Sequence, residues 1–101
     1  MQDAFNALEN ALLTIGPHAV VPVKTMILLR ATANFAGIVI RRNCLHLEFV
    51  LERPVDDARV YKRQQFGPRR YTHYIRLTAP ADVDEQMVGW LRESYRTVVK
   101  A

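Results

Sequence analysis

Apolar residues at the start of the chain fall at Phe5, Leu8, Leu12 and Ile15, a spacing that lines one face of a helix, while Asn6, Glu9 and Asn10 fall elsewhere. Gly16 and Pro17 predict the end of that helix, because proline has no amide hydrogen with which to continue the ladder. Asp3 is its expected N-cap. From Val20 the period drops to two. A short Val20–Val23 piece precedes a strand over Thr25–Arg30 that is apolar on both faces, and Thr32, Ala33 and Asn34 form the expected turn into a strand over Asn34–Arg41. The cleanest alternation follows. Leu45, Leu47, Phe49 and Leu51 define one wholly apolar face, and His46, Glu48, Val50 and Glu52 a mostly polar one, as in a strand with one side on a core. Pro54 ends it. The stretch after Pro54 reads as irregular, and a last strand is expected over Thr72–Thr78.

The C-terminal segment returns to helical spacing. Val83, Met87, Trp90, Leu91, Ser94 and Val98 share one face, and Pro80, Asp82 and Glu85 predict an N-terminus with an Asp-x-x-Glu capping box. Arg96 and Lys100 fall near the negative end of the helix dipole. Connections between strands are mostly short, which favours hairpins over crossover helices. The predicted fold is therefore α+β: an N-terminal helix, an antiparallel sheet of about four to five strands and a C-terminal helix, with both helices on one sheet face. Residues 1–101 form one domain, since a chain of 101 residues supports one small core.

Composition narrows the class further. The lone cysteine, Cys44, forms no intramolecular disulfide, so a cystine-stapled secreted scaffold is excluded and a cytoplasmic setting is expected. Apolar runs are far shorter than the roughly 20 residues that span a bilayer, and the N-terminal stretch has no export-signal pattern. No membrane partner is expected.

The charge is concentrated. Fourteen Lys and Arg stand against ten Asp and Glu, for a net charge of +4. Arg53, Arg59, Lys62, Arg63, Arg69 and Arg70 face only Asp56 and Asp57 between positions 53 and 71, whereas the remaining eight cations match the remaining eight acids. The whole excess thus sits in one segment, where Tyr61, Phe66 and Tyr71 are interleaved. Rings among guanidinium groups stack on bases while the cations meet phosphates, so Arg59, Lys62, Arg63, Arg69, Arg70 and Tyr71 form the candidate site for nucleic acid or another anionic ligand. The plainer reading is a solvated hairpin loop whose arginines keep an exposed edge from aggregating.

Catalytic and metal chemistry is poorly supported. His18, His46 and His73 are isolated, no Cys/His pair has zinc-ligand spacing, and neither Ser94 nor Cys44 has a base nearby in sequence. Glu48, Glu52, Asp56 and Asp57 invite a comparison with two-metal nucleases, but Glu52 is followed by Arg53 and Pro54 where such a site usually has a lysine, and cross-strand pairing with arginines is the simpler expectation. His46 and His73 fall on different faces by the alternation; a small enzyme with Glu48, His46 and His73 in a cleft is the least favoured alternative. No catalytic residue, metal or cofactor is expected. Trp90 reads as a core anchor. If the helices cover the Leu45–Leu51 face, the opposite face retains Met26, Leu28, Ile38, Ile40 or their alternates together with Val50 and Tyr74, which suggests a protein partner or a second copy. The leading expectation is a non-enzymatic accessory or interaction domain, with nucleic-acid or anionic-ligand binding by the basic segment as the alternative.

Lys24-Thr25, Asn34-Phe35-Ala36, Leu45-His46-Leu47, His73 before Ile75-Arg76-Leu77, Asp82-Val83-Asp84, Trp90-Leu91 and Tyr95 together resemble a bacterial and archaeal family, domain of unknown function 5655, which often forms the C-terminal part of longer proteins. The likeness covers about three quarters of the chain and is most specific in the last helix. It implies a small α+β domain similar to frataxin-like two-layer sandwiches. It implies no iron site, since the first helix has only Asp3 and Glu9 as acids.

Overall fold

A computed structural model describes residues 2–99. Helix α1 (Gln2–Leu13) leads into β1 (Ala19–Pro22), β2 (Ile27–Arg30), β3 (Asn34–Ile40), β4 (Leu45–Leu51), β5 (Lys62–Gly67) and β6 (Arg70–Leu77), followed by a short 3-10 turn (Pro80–Asp82) and helix α2 (Glu85–Val99). The strands make one antiparallel sheet in the order β1-β2-β3-β4-β6-β5. The α+β architecture is as predicted, but the sheet has six strands rather than four to five. The additional strand is β5, inside the supposed basic loop. Its sequence, Lys-Arg-Gln-Gln-Phe-Gly, has no apolar alternation because it is an edge strand with no buried residue, and charge on an edge discourages pairing with other chains.

One face of the sheet carries the core. Leu45, Leu47, Phe49 and Leu51 of β4 are fully buried, and the register sets Ala36 and Ile38 of β3 and Ile75 and Leu77 of β6 beside them. From α1 come Ala4, Leu8 and Leu12, and from α2 come Met87, Trp90 and Leu91; all join a single cluster. Burying each of these large side chains contributes roughly 1.5–3 kcal/mol. Among the described residues, no helix lies on the other face and none is long and apolar enough to cross a membrane.

The helix ends differ in detail from the sequence pattern. Asp84, not Asp82, caps α2: its Oδ1 accepts the Met87 amide at 2.9 Å. Asp82 instead ties down the preceding turn, its Oδ2 accepting the amides of Thr78 at 2.8 Å and Ala79 at 3.1 Å. These bonds hold both carboxyl groups below their ordinary range. Asp3 lies within the first turn of α1 rather than at its N-cap. Arg96 occupies the last turn of α2, and Lys100 is outside the described residues. Gly16 has φ +156°, and a Cβ there would stand 2.7 Å from the Tyr95 ring. The glycine therefore allows the ring to close on the α1–β1 connection, where the Tyr95 hydroxyl donates to the Pro17 carbonyl at 2.7 Å.

Two buried polar residues organise the covered face. Ser94, fully buried on α2, stands where β3 and β4 part. The β3–β4 register reaches Ala36 and Phe49; beyond it the Ser94 hydroxyl donates to the Phe35 carbonyl at 2.6 Å and accepts the Val50 amide at 3.1 Å. His73 of β6 is fully buried and lies parallel to Phe49 at 5.3 Å between ring centres, Phe49 stacks on Trp90 at 5.7 Å, and the Arg59 guanidinium covers Trp90 at 5.1 Å. The Val55 amide donates to His73 Nε2 at 3.0 Å, which assigns the ring proton to Nδ1. Burial holds the imidazole below its ordinary pKa.

Candidate functional site

Much of the basic segment folds back on the protein. Arg53 grips Glu93 of α2 with two bonds of 2.9 Å. Arg59 donates to the Asp82 carbonyl at 3.2 Å and to Asp84 Oδ1 at 3.1 Å while covering Trp90. Arg63 reaches Asp56 Oδ1 at 2.9 Å and the Val55 carbonyl at 3.1 Å, and Arg69 lies 3.7 Å from Glu52. Tyr71 is half-buried opposite Leu51, on the side of the sheet that the helices cover. Of the six candidate residues, Arg59 and Arg63 thus clasp the 53–61 connection, Arg69 balances Glu52, and Tyr71 closes the edge of the core. Replacing Arg59 by alanine is expected to cost about 1 kcal/mol, a fall of roughly 4–8 °C in Tm, with faster amide exchange over residues 54–61. Thermal denaturation and hydrogen exchange check both.

Lys62 and Arg70 behave differently. Both lie on the open face of the sheet, where Arg41 and Arg76 join them without an acidic partner among the described residues. Two adjoining cavities mark this face. The larger, of about 460 Å³, crosses from β2 to β5; Met26, Leu28, Gly37, Val50, Phe66 and Arg70 line it, and Thr72 lies in its floor. Alternation from Lys62 and Gln64, which pair with Tyr74 and Thr72, puts Phe66 on this face beside an irregular step in the register, and it is 62% exposed. The smaller, about 250 Å³, is lined by Val39, Arg41, His46, Tyr61, Lys62 and Tyr74. Glu48 borders both cavities and is the one carboxylate in either lining.

Burial raises the Glu48 pKa, with Lys62 opposing the shift, and no hydrogen bond among the described residues holds the carboxylate. Beside it, the Tyr61 hydroxyl meets His46 Nδ1 at 2.7 Å, Arg76 covers the Tyr61 ring at 4.0 Å, and Lys62 covers the Tyr74 ring at 5.2 Å. Burial, followed by Arg76 and Arg41, holds His46 below its ordinary pKa, so this imidazole is neutral at neutral pH.

His46 and Glu48 therefore share the open face, whereas His73 is stacked in the core behind it. The three do not converge, and the cleft imagined from the sequence is absent. No Ser, Thr or Cys lines the cavity that holds His46, whose Nδ1 is taken by the Tyr61 hydroxyl. No group of three or more potential ligands among the described residues is placed to hold a metal ion. Of the four acids that invite comparison with a nuclease, three have arginine partners, Glu52 with Arg69, Asp56 with Arg63 and Asp57 with Arg59, and Glu48 stands apart on the open face.

The family model for a domain of unknown function (DUF5655) matches residues 1–98. The chain belongs to this family. No curated protein matches the chain. No solved structure matches it either. Membership confirms the resemblance carried by the strand openings and the last helix, and it assigns no residue a role. Sequence reasoning did not assign Arg41, His46, Tyr61, Tyr74 and Arg76 to one site, because they come from four separate stretches of chain. The signal that could have gathered them is the alternation itself, which puts His46, Tyr74 and Arg76 opposite the apolar set of their strands.

Proposed function

We propose that this domain binds single-stranded nucleic acid on its open sheet face. The observation that carries the proposal is the convergence of Arg41, Lys62, Arg70 and Arg76, none in an ion pair among the described residues, with the rings of Tyr61, Phe66 and Tyr74 on one face whose cavities hold a single carboxylate. Cations supply sequence-independent attraction to phosphates, and sheet-borne rings stack on unpaired bases. Both helices pack against the opposite face, so neither is presented for a major groove, which favours single strands over duplex. This reading keeps Lys62 and Arg70 from the basic segment and gives Arg59, Arg63, Arg69 and Tyr71 structural work. It is a binding function, with no catalytic step. The two-layer comparison with frataxin-like domains adds nothing to it.

A protein partner on the same face is the second reading, supported by the apolar Met26, Leu28 and Val50. A twofold contact with a second copy is disfavoured, because it would oppose the four cations to themselves. Fluorescence anisotropy with a labelled uracil oligomer separates these readings. Four phosphate contacts predict that log K falls against log salt with a slope of about −3, that Arg76→Ala reduces the slope by about 0.7, and that Arg53→Ala leaves it alone. Duplex of the same length should bind more weakly. Absence of binding at low salt, or a slope that Arg76→Ala does not change, overturns the proposal.

A further inference from the structure

We infer that the larger cavity is a guanine-selective subsite, in which the Glu48 carboxylate accepts the two adjacent N–H donors of the base. The inference rests on the nucleic-acid reading and deepens it. The cavity has the volume of a small-molecule site, and its walls are mostly apolar: Leu28 and Val50 below, Met26 on one side and Phe66 on the other. Phe66 has no ring partner among the described residues, so its face is open to a stacked base. Gly37 keeps the floor low. A Cβ at that position would collide with Met26 Cε and stand 3.3 Å from Glu48 Cγ, so the glycine lets the thioether and the carboxylate close over the same spot. A flat aromatic ring packs favourably against a thioether.

Glu48 then decides which ring. Cross-strand pairing with Gly37 and Tyr74 fixes it at mid-strand on β4, where it projects between the two cavities. Ionised, it can only accept hydrogen bonds, and within the described residues it receives none. Guanine offers two neighbouring donors, the N1–H and the exocyclic amino group, matched to two carboxylate oxygens. Adenine and cytosine each set an acceptor nitrogen beside their amino group, and uracil flanks its one N–H with two carbonyls; a carboxylate repels those acceptors. Arg70, at the rim of the same cavity, is placed for the phosphate side of the nucleotide.

The test uses a uracil oligomer carrying one central guanine, and the same oligomer with inosine or adenine at that position. Inosine retains the N1–H and lacks the amino group. The guanine oligomer is expected to bind about tenfold more tightly than either, and Glu48→Gln, which offers one acceptor and one donor, is expected to abolish the difference. Guanosine and inosine monophosphates titrated against the Met26 methyl resonance give a readout that does not require strand binding. Binding of all oligomers with equal affinity and no preference between the monophosphates overturns the subsite while leaving the nucleic-acid reading intact. Failure of every oligomer to bind, with guanosine monophosphate still perturbing Met26 in a Glu48-dependent manner, overturns the nucleic-acid reading and retains the subsite. No response in either assay overturns both.

Discussion

Replacing Ser94 by alanine is expected to lower the stability of the domain by about 2–4 kcal/mol, far more than the loss of one oxygen atom from a helix surface would cost. The hydroxyl satisfies two strand groups at once, the Phe35 carbonyl and the Val50 amide, at the point where β3 and β4 separate. Neither group has a substitute partner in the antiparallel ladder there. Removing the oxygen leaves a buried acceptor and a part-buried donor unsatisfied, at about 1–3 kcal/mol each, offset in part by relaxation of the strands. In a domain of this size the corresponding fall in Tm is about 10 °C or more. Denaturant unfolding of the two proteins checks the value. A loss below about 0.5 kcal/mol would mean that the strands close on each other without the serine, and that its place on α2 reflects packing alone.

The second large effect concerns pH. The pKa of His73 is lowered in the folded state mainly by burial, with Arg63 and Arg53 adding to the shift and the Phe49 and Tyr71 carbonyls opposing it. Because Nε2 accepts the Val55 amide, an incoming proton must take that position and break the bond. The unfolded chain binds the proton near its ordinary value of about 6.5, so below that pH it holds more protons than the folded chain, and stability falls with pH. The contribution of neutral His73 is complete above about pH 6.5 and is lost as pH falls through the lower folded-state value, by about 1.4 kcal/mol for each unit of separation. Asp82 and Asp84 act in a different window. Their folded pKa values are lowered, so the stability they confer is present above about pH 4 and is lost only below it. A stability curve measured from pH 7.5 to 4.5 should therefore slope downward in the wild type and less steeply in His73→Phe, which keeps the stack on Phe49 but cannot take up the proton; the slope that remains belongs to His46, whose folded pKa is lowered too. Equal slopes in the two proteins would remove His73 from the account.

Where one side of an element faces water and the other the core, the sequence displays the element openly. β4 and α2 are of this kind: apolar residues at period two in the one and at three and four in the other identify the buried face before any coordinates are known. β5 escapes the same logic because neither of its faces is buried. A strand whose place is fixed by backbone pairing with β6 need not alternate, and Lys62 to Gln65 read as a charged loop. The candidate site suffered from the same gap. Counting charges located the excess correctly between positions 53 and 71, but partners distant in sequence decide which charges are free. Glu93 lies 40 residues from Arg53, and Asp84 lies 25 from Arg59. Arg41 and Arg76, drawn from electrically balanced stretches, reach the open face because the strand register brings them there. Position in the sheet, which no local window contains, separates the clasping arginines from the free ones.

The stack on Trp90 has a practical corollary. It is the one tryptophan in the chain, pressed between Phe49 and the Arg59 guanidinium beneath α2, while Tyr61 and Tyr74 sit across the sheet on the opposite face. Indole emission therefore reports the docking of α2, whereas the four tyrosines are divided, Tyr61 and Tyr74 on the open face and Tyr71 and Tyr95 on the covered one. A ligand that occupies the open face should leave the indole spectrum still, whereas loosening of the core should shift it, so indole emission can tell occupancy from unfolding.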